Sequence, residues 1–447
     1  MRSFIVRQMM RRQNGLLEKL AELEKTQYYS EDEIKNYQEE KLQRLIKHTY
    51  ESVPFYKELF DKQRLRPDDI KRIDDLEKIP VIDKETLRSN RERLLSTNIQ
   101  EKISTRRTGG STGVPLSLVS NHKECIITNA LYYRFLRSMG YRWGDKILLF
   151  WGERVVESFV AKYKKKISNV IYNLHFVSTF SVNDRVLSNL ISSLQKSPPK
   201  ILRGYASSVN LLALKALDYG LKIELEAVTT TAEKLFKFQR DKIEDAFGKN
   251  VYDQYGCGET FSIAFECEMH NGMHIASEHV VLDLVDDKGN KSSRGNVIIT
   301  NLDNYAMPII RYKNGDTASF ASLICSCKRK TPLLKEIEGR VSDFIEGHNG
   351  NKVHAEFFTH IFGGLKLAAR YSIKEFRVVQ EKIDKLRIEF VTEDDLSKRD
   401  EKIIREKINE YLGNTDIEIK KVKGIPMTRM GKKMFVLSLL NREQWQV

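Results

Sequence analysis

The chain has 447 residues, 41% of them hydrophobic, enough to bury at least one large core and to split into two or more domains, so disorder is excluded. Its 75 basic and 61 acidic residues leave a formal charge of +14 on a mixed surface. With no recognition-helix signature and no interleaving of basic and aromatic residues, nucleic acid is not an expected partner, while anionic small molecules fit that charge. No run of about 18 apolar residues exists, Arg7 interrupts the apolar start Phe4-Ile5-Val6, and five cysteines suit a reducing compartment. A cytoplasmic protein without signal peptide or membrane span is expected.

Residues 1 to about 60 read as helical, with Leu16, Leu17, Leu20 and Leu23, then Leu42, Leu45 and Ile46, at helical spacing. They are expected to pack on the body of the protein, and their basic amphipathic start leaves weak association with a membrane surface open. The cluster Lys162, Lys164, Lys165 and Lys166 reads as a solvated charged face. Next comes a hydroxyl-rich turn, Thr105-Arg106-Arg107-Thr108-Gly109-Gly110-Ser111-Thr112-Gly113-Val114-Pro115. Its glycines let backbone approach an anion, Thr108, Ser111 and Thr112 offer donors, and Pro115 keeps the loop from joining a ladder. Read alone, it is equally well explained as a solvated linker turn. It is not a Walker loop, because Val114 follows Gly113; Gly431-Lys432 and Gly248-Lys249 also fail, with Pro426 and Ile243 where the first glycine belongs. A dinucleotide fingerprint at Gly256-Cys257-Gly258 fails at Phe261.

Helical stretches then alternate with short apolar runs at 146–151, 200–203 and 225–229, the pattern of an α/β sheet, and runs at 295–300 and 309–312 predict strands of a more β-rich lobe. A boundary is readable near Glu338-Gly339-Arg340-Val341-Ser342-Asp343. Beyond it, strand-like 376–380 and 386–391 flank a turn at Asp384-Lys385, followed by a helix from about 396 to 412, a strand at 417–422 and a loop at 424–433. The fold class is therefore α/β: a large multi-lobed N-terminal domain, 1–338, with α/β sheets, and a small mobile α+β C-terminal lid, 339–447, after a hinge near 339–343 that includes Ser342 and Asp343.

The loop gains specificity from its companions. Residues 38–60, with Lys41-Leu-Gln-Arg-Leu-Ile-Lys-His48 and Val53-Pro-Phe-Tyr56, come before Thr108 to Pro115. After the loop come Gly140 with Gly144-Asp145, Arg203-Gly204-Tyr205-Ala206-Ser207, and Tyr255-Gly256-Cys257-Gly258-Glu259. Then follow Arg311-Tyr312 with Gly315-Asp316, Gly339-Arg340 with Asp343, and Pro426-Met-Thr428-Arg-Met-Gly431-Lys432. In this order they resemble the motifs of the adenylate-forming superfamily, and along almost the whole chain those of the phenylacetate-CoA ligase family.

The resemblance implies ATP-dependent activation of a carboxylate, in which a poor nucleophile attacks an anionic α-phosphate and the site must stabilise the added charge. It assigns Thr108, Gly109, Gly110, Ser111, Thr112 and Gly113 to the phosphates, Glu259 to Mg²⁺ through a hard carboxylate oxygen, and Asp316 to the ribose hydroxyls. Arg340 reaches the nucleotide, and Lys432 bridges carboxylate and α-phosphate when the lid closes. Tyr255 and the stretch 229–233 sit near the adenine by the same resemblance, although core packing explains both.

Cys267, His274, Cys325 and Cys327 form a plausible structural zinc set, as soft thiolates plus an imidazole, and some family members carry cysteines and a histidine in matching places. Six residues separate Cys267 from His274 and one separates Cys325 from Cys327, which is not zinc-finger spacing. Free buried cysteines are the alternative, and His270 is a substitute ligand. Cys257 and Cys125 read as packing residues.

The implied reaction has two halves: formation of an acyl-adenylate with release of pyrophosphate, then acyl transfer to coenzyme A or to an amine, alcohol or sugar acceptor. The loop form Arg107-Thr-Gly-Gly-Ser-Thr-Gly113, with Glu346-Gly-His-Asn-Gly350 and Val353-His354, is closer to the family's capsular polysaccharide branch. Trp151, His175, Phe176 and Tyr205 are aromatic pocket candidates that serve equally as core. A homodimer is possible on this reading. The second functional class kept open is an inactive, zinc-stabilised basic binding protein that retains the adenylation fold.

Overall fold

The structure is a computed structural model that describes residues 2–11, 15–107, 116–151, 159–178, 184–248, 250–322, 324–340, 344–348, 352–354, 358, 361–362, 367–371, 373, 375–426 and 436–440. The chain divides into two compact units, Met1–Asp145 with Ile171–Asn173 and Tyr252–Ile337, and Lys146–Val170 with Leu174–Val251 and Glu338–Val447.

In the first unit, local signals set the helices. Helix Glu31–Ser52 starts where the Ser30 hydroxyl accepts from the Glu33 amide and the Glu33 carboxylate accepts from the Ser30 amide. This reciprocal cap satisfies two donors that the first turn leaves orphaned. Val53 breaks the helix and Pro54 starts helix Pro54–Lys62, its fixed φ suiting a first helical position. The inward faces, with Leu42, Leu45, Ile46, Tyr56 and Phe60, pack against Val281, Leu302, Met307 and Tyr312 from far along the chain. Burying each such side chain contributes about 1.5–3 kcal/mol. The Tyr56 hydroxyl also donates to Pro308 O at 3.2 Å and accepts from Ile310 N at 3.0 Å, which ties the helices to that distant loop.

Strands Ile103–Arg107 and Ser117–Asn121 of this unit form an antiparallel hairpin in which Arg106 lies opposite Leu118. A larger sheet runs in the order Val280–Val285, Arg294–Asn301, Tyr312–Phe320, Leu333–Arg340, Met273–Ile275, Phe261–Glu266, Val251–Cys257. The strand expected over 309–312 begins only at Tyr312. Arg311 precedes it with a φ of 50°, held there while its guanidinium donates to Glu77 O at 2.7 Å and Ile79 O at 2.6 Å.

The second unit carries four parallel strands in the order Ala227–Thr231, Ile201–Tyr205, Ile147–Trp151, Leu174–Ser178. Helices Asp184–Lys196, Ala206–Asp218 and Lys237–Phe247 alternate with them in sequence, as parallel strands require crossovers. Its C-terminal part has a four-stranded sheet in the order Asp416–Lys421, Lys385–Val391, Glu375–Lys382, Val436–Ser438, with helix Lys398–Leu412. Ser397 caps that helix by accepting from the Asp400 amide. Val378, Leu386, Ile388, Phe390, Ile404 and Ile408 form its core. The architecture is mixed α/β, with large sheets and a small C-terminal α+β part. Among the described residues, no helix is long and apolar enough to cross a membrane.

Candidate active site

Residues 258 to 260 form a tight hairpin turn between strands Val251–Cys257 and Phe261–Glu266. A Cβ on Gly256 would lie 2.1 Å from Phe261 O, so only glycine lets the two strands approach this closely. Phe261 itself has a φ of 60°, a costly conformation for an aromatic residue. Glu259 sits in this turn and is buried.

Two groups of side chains hold the turn by its backbone. Arg106 donates from Nε to Gly258 O at 3.0 Å and from Nη2 to Glu259 O at 2.7 Å, with its guanidinium 3.9 Å from the centre of the Phe261 ring. On the other flank, His279 Nε2 lies 3.1 Å from Thr260 O and its Nδ1 lies 2.8 Å from Asp303 Oδ2. Asp303 in turn pairs with Lys41 at 2.7 Å, and Lys41 also donates to Glu278 O at 2.6 Å. Asp303 is held below the ordinary carboxylate range because Lys41 and His279 outweigh the penalty of its burial. Burial pushes the Cys257 thiol up to about 12, helped by the nearby Glu259 charge, so this cysteine stays a thiol at neutral pH and is a poor nucleophile.

The second expected contact with nucleotide lies in the same unit. The Tyr255 hydroxyl donates to Asp316 Oδ2 at 2.7 Å. Asn314 Nδ2 reaches that hydroxyl at 2.7 Å and Asp316 Oδ2 at 2.9 Å, while Asn314 Oδ1 accepts from the Asp316 amide at 3.0 Å. Burial, with the Asp316 charge beside it, raises the Tyr255 phenol well above its ordinary value, which makes it a lasting donor. The structure thus joins Tyr255 to Asp316 and fixes the backbone of Glu259.

Thr108, Gly109, Gly110, Ser111, Thr112 and Gly113, the hinge residues Ser342 and Asp343, and Lys432 lie outside the described residues. Arg340 ends strand Leu333–Arg340. In the second unit the Trp151 and Tyr205 rings are 4.4 Å apart, with Arg203 over Trp151 at 5.7 Å, and His175 and Phe176 lie on strand Leu174–Ser178.

The Cys267, His274, Cys325 and Cys327 ligand atoms are all buried and lie within 4.8 Å of one another. Cys267 and Cys325 sulfurs are 3.5 Å apart, and Cys327 Sγ is 3.1 Å from His274 Nε2. A tetrahedral ion with metal–sulfur bonds near 2.3 Å needs ligand separations of about 3.5–3.8 Å, so the set fits with small adjustments. His274 Nδ1 faces Thr331 Oγ1 at 3.3 Å and Thr331 O at 3.4 Å, which orients the ring so that Nε2 points to the thiols. Burial, then the nearby Arg329 charge, lower His274 to about 4, so the imidazole is neutral and able to ligate. His270 lies outside this quartet, with Nδ1 3.3 Å from Glu266 Oε1 and its ring 4.9 Å from that of Tyr252.

Sequence reasoning missed Arg106, His279, Asp303 and Lys41 as site residues. Arg106 and Lys41 fell inside quoted motifs, 105–115 and 41–48, but nothing in those motifs pointed to His279 or Asp303, more than 150 positions further on.

Comparison with known proteins places this geometry among relatives. The family model described as the CapK C-terminal domain matches residues 345–438. Protein CapK of Staphylococcus aureus is 27% identical over 421 residues, covering 91% of this chain and 89% of that protein. A phenylacetate-coenzyme A ligase of Aromatoleum evansii is 24% identical over 363 residues, covering 79% and 81%. Among solved structures, a 2-hydroxyisobutyryl-CoA ligase in the postadenylation state with 2-HIB-AMP matches at a TM-score of 0.73 and 20% identity, over 92% of this chain and 90% of that one. The fold is that of the adenylate-forming ligases.

Proposed function

Given that this chain is a homologue of CapK and of the phenylacetate-coenzyme A ligases, we propose that it is an adenylate-forming acid ligase. It activates a carboxylic acid with ATP to an acyl-adenylate, releases pyrophosphate, and then passes the acyl group to coenzyme A. The observation that carries this reading is the pairing of Tyr255 with Asp316 in the unit that also holds the buried Glu259 turn.

The residues divide the work. Asp316, oriented by Tyr255 and Asn314, accepts hydrogen bonds from the ribose hydroxyls. Thr108, Ser111, Thr112 and Gly113 offer donors to the phosphates, and Arg340 reaches the nucleotide. The Glu259 carboxylate, a hard oxygen donor on a pinned turn, suits Mg²⁺, which supplies charge neutralisation when bound. Lys432 brings a compact positive charge to the carboxylate and α-phosphate oxygens on a C-terminal lid that reorients between the half-reactions. The buried quartet Cys267, His274, Cys325 and Cys327 suits zinc as a structural ion, since four protein ligands leave no open position for substrate.

The resemblance of Arg107-Thr-Gly-Gly-Ser-Thr-Gly113 and Val353-His354 to the capsular polysaccharide branch, in a chain whose residues 345–438 match the CapK C-terminal domain, supports a role in surface polysaccharide biosynthesis, with an amine or sugar as an alternative acceptor. ATP–pyrophosphate exchange across a panel of carboxylic acids tests the activation step. Exchange with at least one acid is expected, and none with any acid overturns the reading in favour of a binding protein on the same fold. Mass spectrometry with coenzyme A and amines then identifies the acceptor.

A further inference from the structure

Arg106 is nearly buried, its side chain 14% exposed, and each nitrogen of its guanidinium has a partner. Nε and Nη2 donate to the consecutive carbonyls of Gly258 and Glu259 at 3.0 and 2.7 Å, and Nη1 lies 3.4 Å from Glu124 Oε2. Glu124 is fully buried, and its Oε1 accepts from Asn301 Nδ2 at 2.7 Å. The Phe261 ring covers the guanidinium at 3.9 Å. The chain thus commits a buried ion pair and a cation–π contact to hold two backbone oxygens of one short turn.

We propose that Arg106 is a positioning residue: it fixes the Glu259 turn to strand Ile103–Arg107, so that the Glu259 carboxylate keeps one place from which to hold a magnesium ion. The proposal rests on the ATP-activating reading of the same site. The reason for such a device is metric. A magnesium ion demands oxygen ligands at about 2.0–2.1 Å in near-ideal octahedral geometry, so a carboxylate displaced by even 1 Å no longer shares the ion with a phosphate. An oxygen of Glu259 occupied by another donor would be lost to the ion, so the backbone must do the holding. The far side of the turn is already fixed by His279 on Thr260 O, and Gly256 and Phe261 allow no slack between. Arg106 is the constraint on the near side, and it belongs to strand Ile103–Arg107.

The fork geometry makes the role testable. Lysine at 106 keeps the charge beside Glu124 but cannot reach two adjacent carbonyls with parallel donors. The experiment compares wild type, Arg106→Lys and Arg106→Ala by thermal melting, by binding of Mn²⁺ with α,β-methylene-ATP read by electron paramagnetic resonance, and by calorimetric binding of AMP without metal. The expected result for Arg106→Lys is a melting temperature and AMP affinity near wild type, with Mn²⁺–nucleotide affinity lower by about tenfold or more, the scale of a lost charge-assisted hydrogen bond. In wild-type-like folded Arg106→Lys, unchanged Mn²⁺–nucleotide affinity overturns the proposal. Equal losses of AMP and Mn²⁺–nucleotide binding do so too, since they indicate general damage. Should Arg106→Ala not fold, the lysine variant alone decides. Wild type that binds neither ligand removes the ATP reading and this inference with it, a result distinct from wild-type binding that Arg106→Lys leaves intact.

Discussion

Tyr255 reaches Asp316 at 2.7 Å although their strands, Val251–Cys257 and Tyr312–Phe320, are separated by three others in the order of the sheet. Adjacent strands are about 4.8 Å apart, so a flat sheet would hold the two far beyond side-chain reach. The sheet therefore curls until its strands face each other across the interior, and the hydrogen bond marks the place.

That bond predicts a graded effect on nucleotide binding. Asp316→Ala removes the ribose acceptor and is expected to raise the KM for ATP by about 10- to 100-fold, whereas Tyr255→Phe removes only the orienting donor and raises it by about 3- to 10-fold. Pyrophosphate exchange at varied ATP measures both. Equal effects would mean that Tyr255 acts on the fold rather than through Asp316.

Lys432→Ala is expected to lower the adenylation rate by about 100-fold or more while ATP binding, read by calorimetry, stays within about threefold, because a charge used at the reacting phosphate acts on the barrier. Undiminished pyrophosphate release would remove Lys432 from the chemistry.

The quartet of Cys267, His274, Cys325 and Cys327 predicts one zinc per chain in the purified protein, measurable by atomic emission, and a melting temperature lower by on the order of 10 °C after chelation. The chelated protein gives a pH signature. His274 titrates near 4 when folded but near 6.5 in the unfolded chain, so the unfolded state takes up the proton first. Stability is therefore lost as pH falls from about 6.5 to about 4, and His274→Gln should flatten that part of the curve in urea titrations.

Lys41 and Asp303 form a largely buried ion pair, with side chains 11% and 14% exposed. Removing one partner strands the other charge, so Lys41→Met is expected to cost about 3–5 kcal/mol in urea denaturation, and Lys41→Met with Asp303→Asn less than the sum of the two. Additive losses would show that the pair does not interact.

Much of the fold was legible because periodicity is a local property. The strands at Ile147–Trp151 and Ile201–Tyr205, and helix Lys398–Leu412, fall close to where alternation and helical spacing put them. The quartet was legible because cysteine and histidine carry their chemistry in their names. Lys41, Asp303 and Arg106 were not, since a charged residue on an amphipathic helix, in a loop or on an outer strand reads as solvated until a partner far along the chain is known to meet it. The strand start at Tyr312 was missed for a related reason: the apolar run from Ile309 fits a strand, but Arg311 is held at positive φ by carbonyls of Glu77 and Ile79.

The joining of the N-terminal helices to residues 281–312 sets a timetable for synthesis. Leu42, Leu45, Tyr56 and Phe60 have their core partners Val281, Leu302, Met307 and Tyr312 more than 200 residues downstream. At about 5–20 residues per second, a ribosome takes on the order of 10–50 s to supply them. Through that interval the inward faces of the first helices have only their nearer partners, such as Ile70, Leu76, Leu94 and Leu118, which leaves the nascent core incomplete and makes slow, late closure of the first unit the expected signature of its refolding.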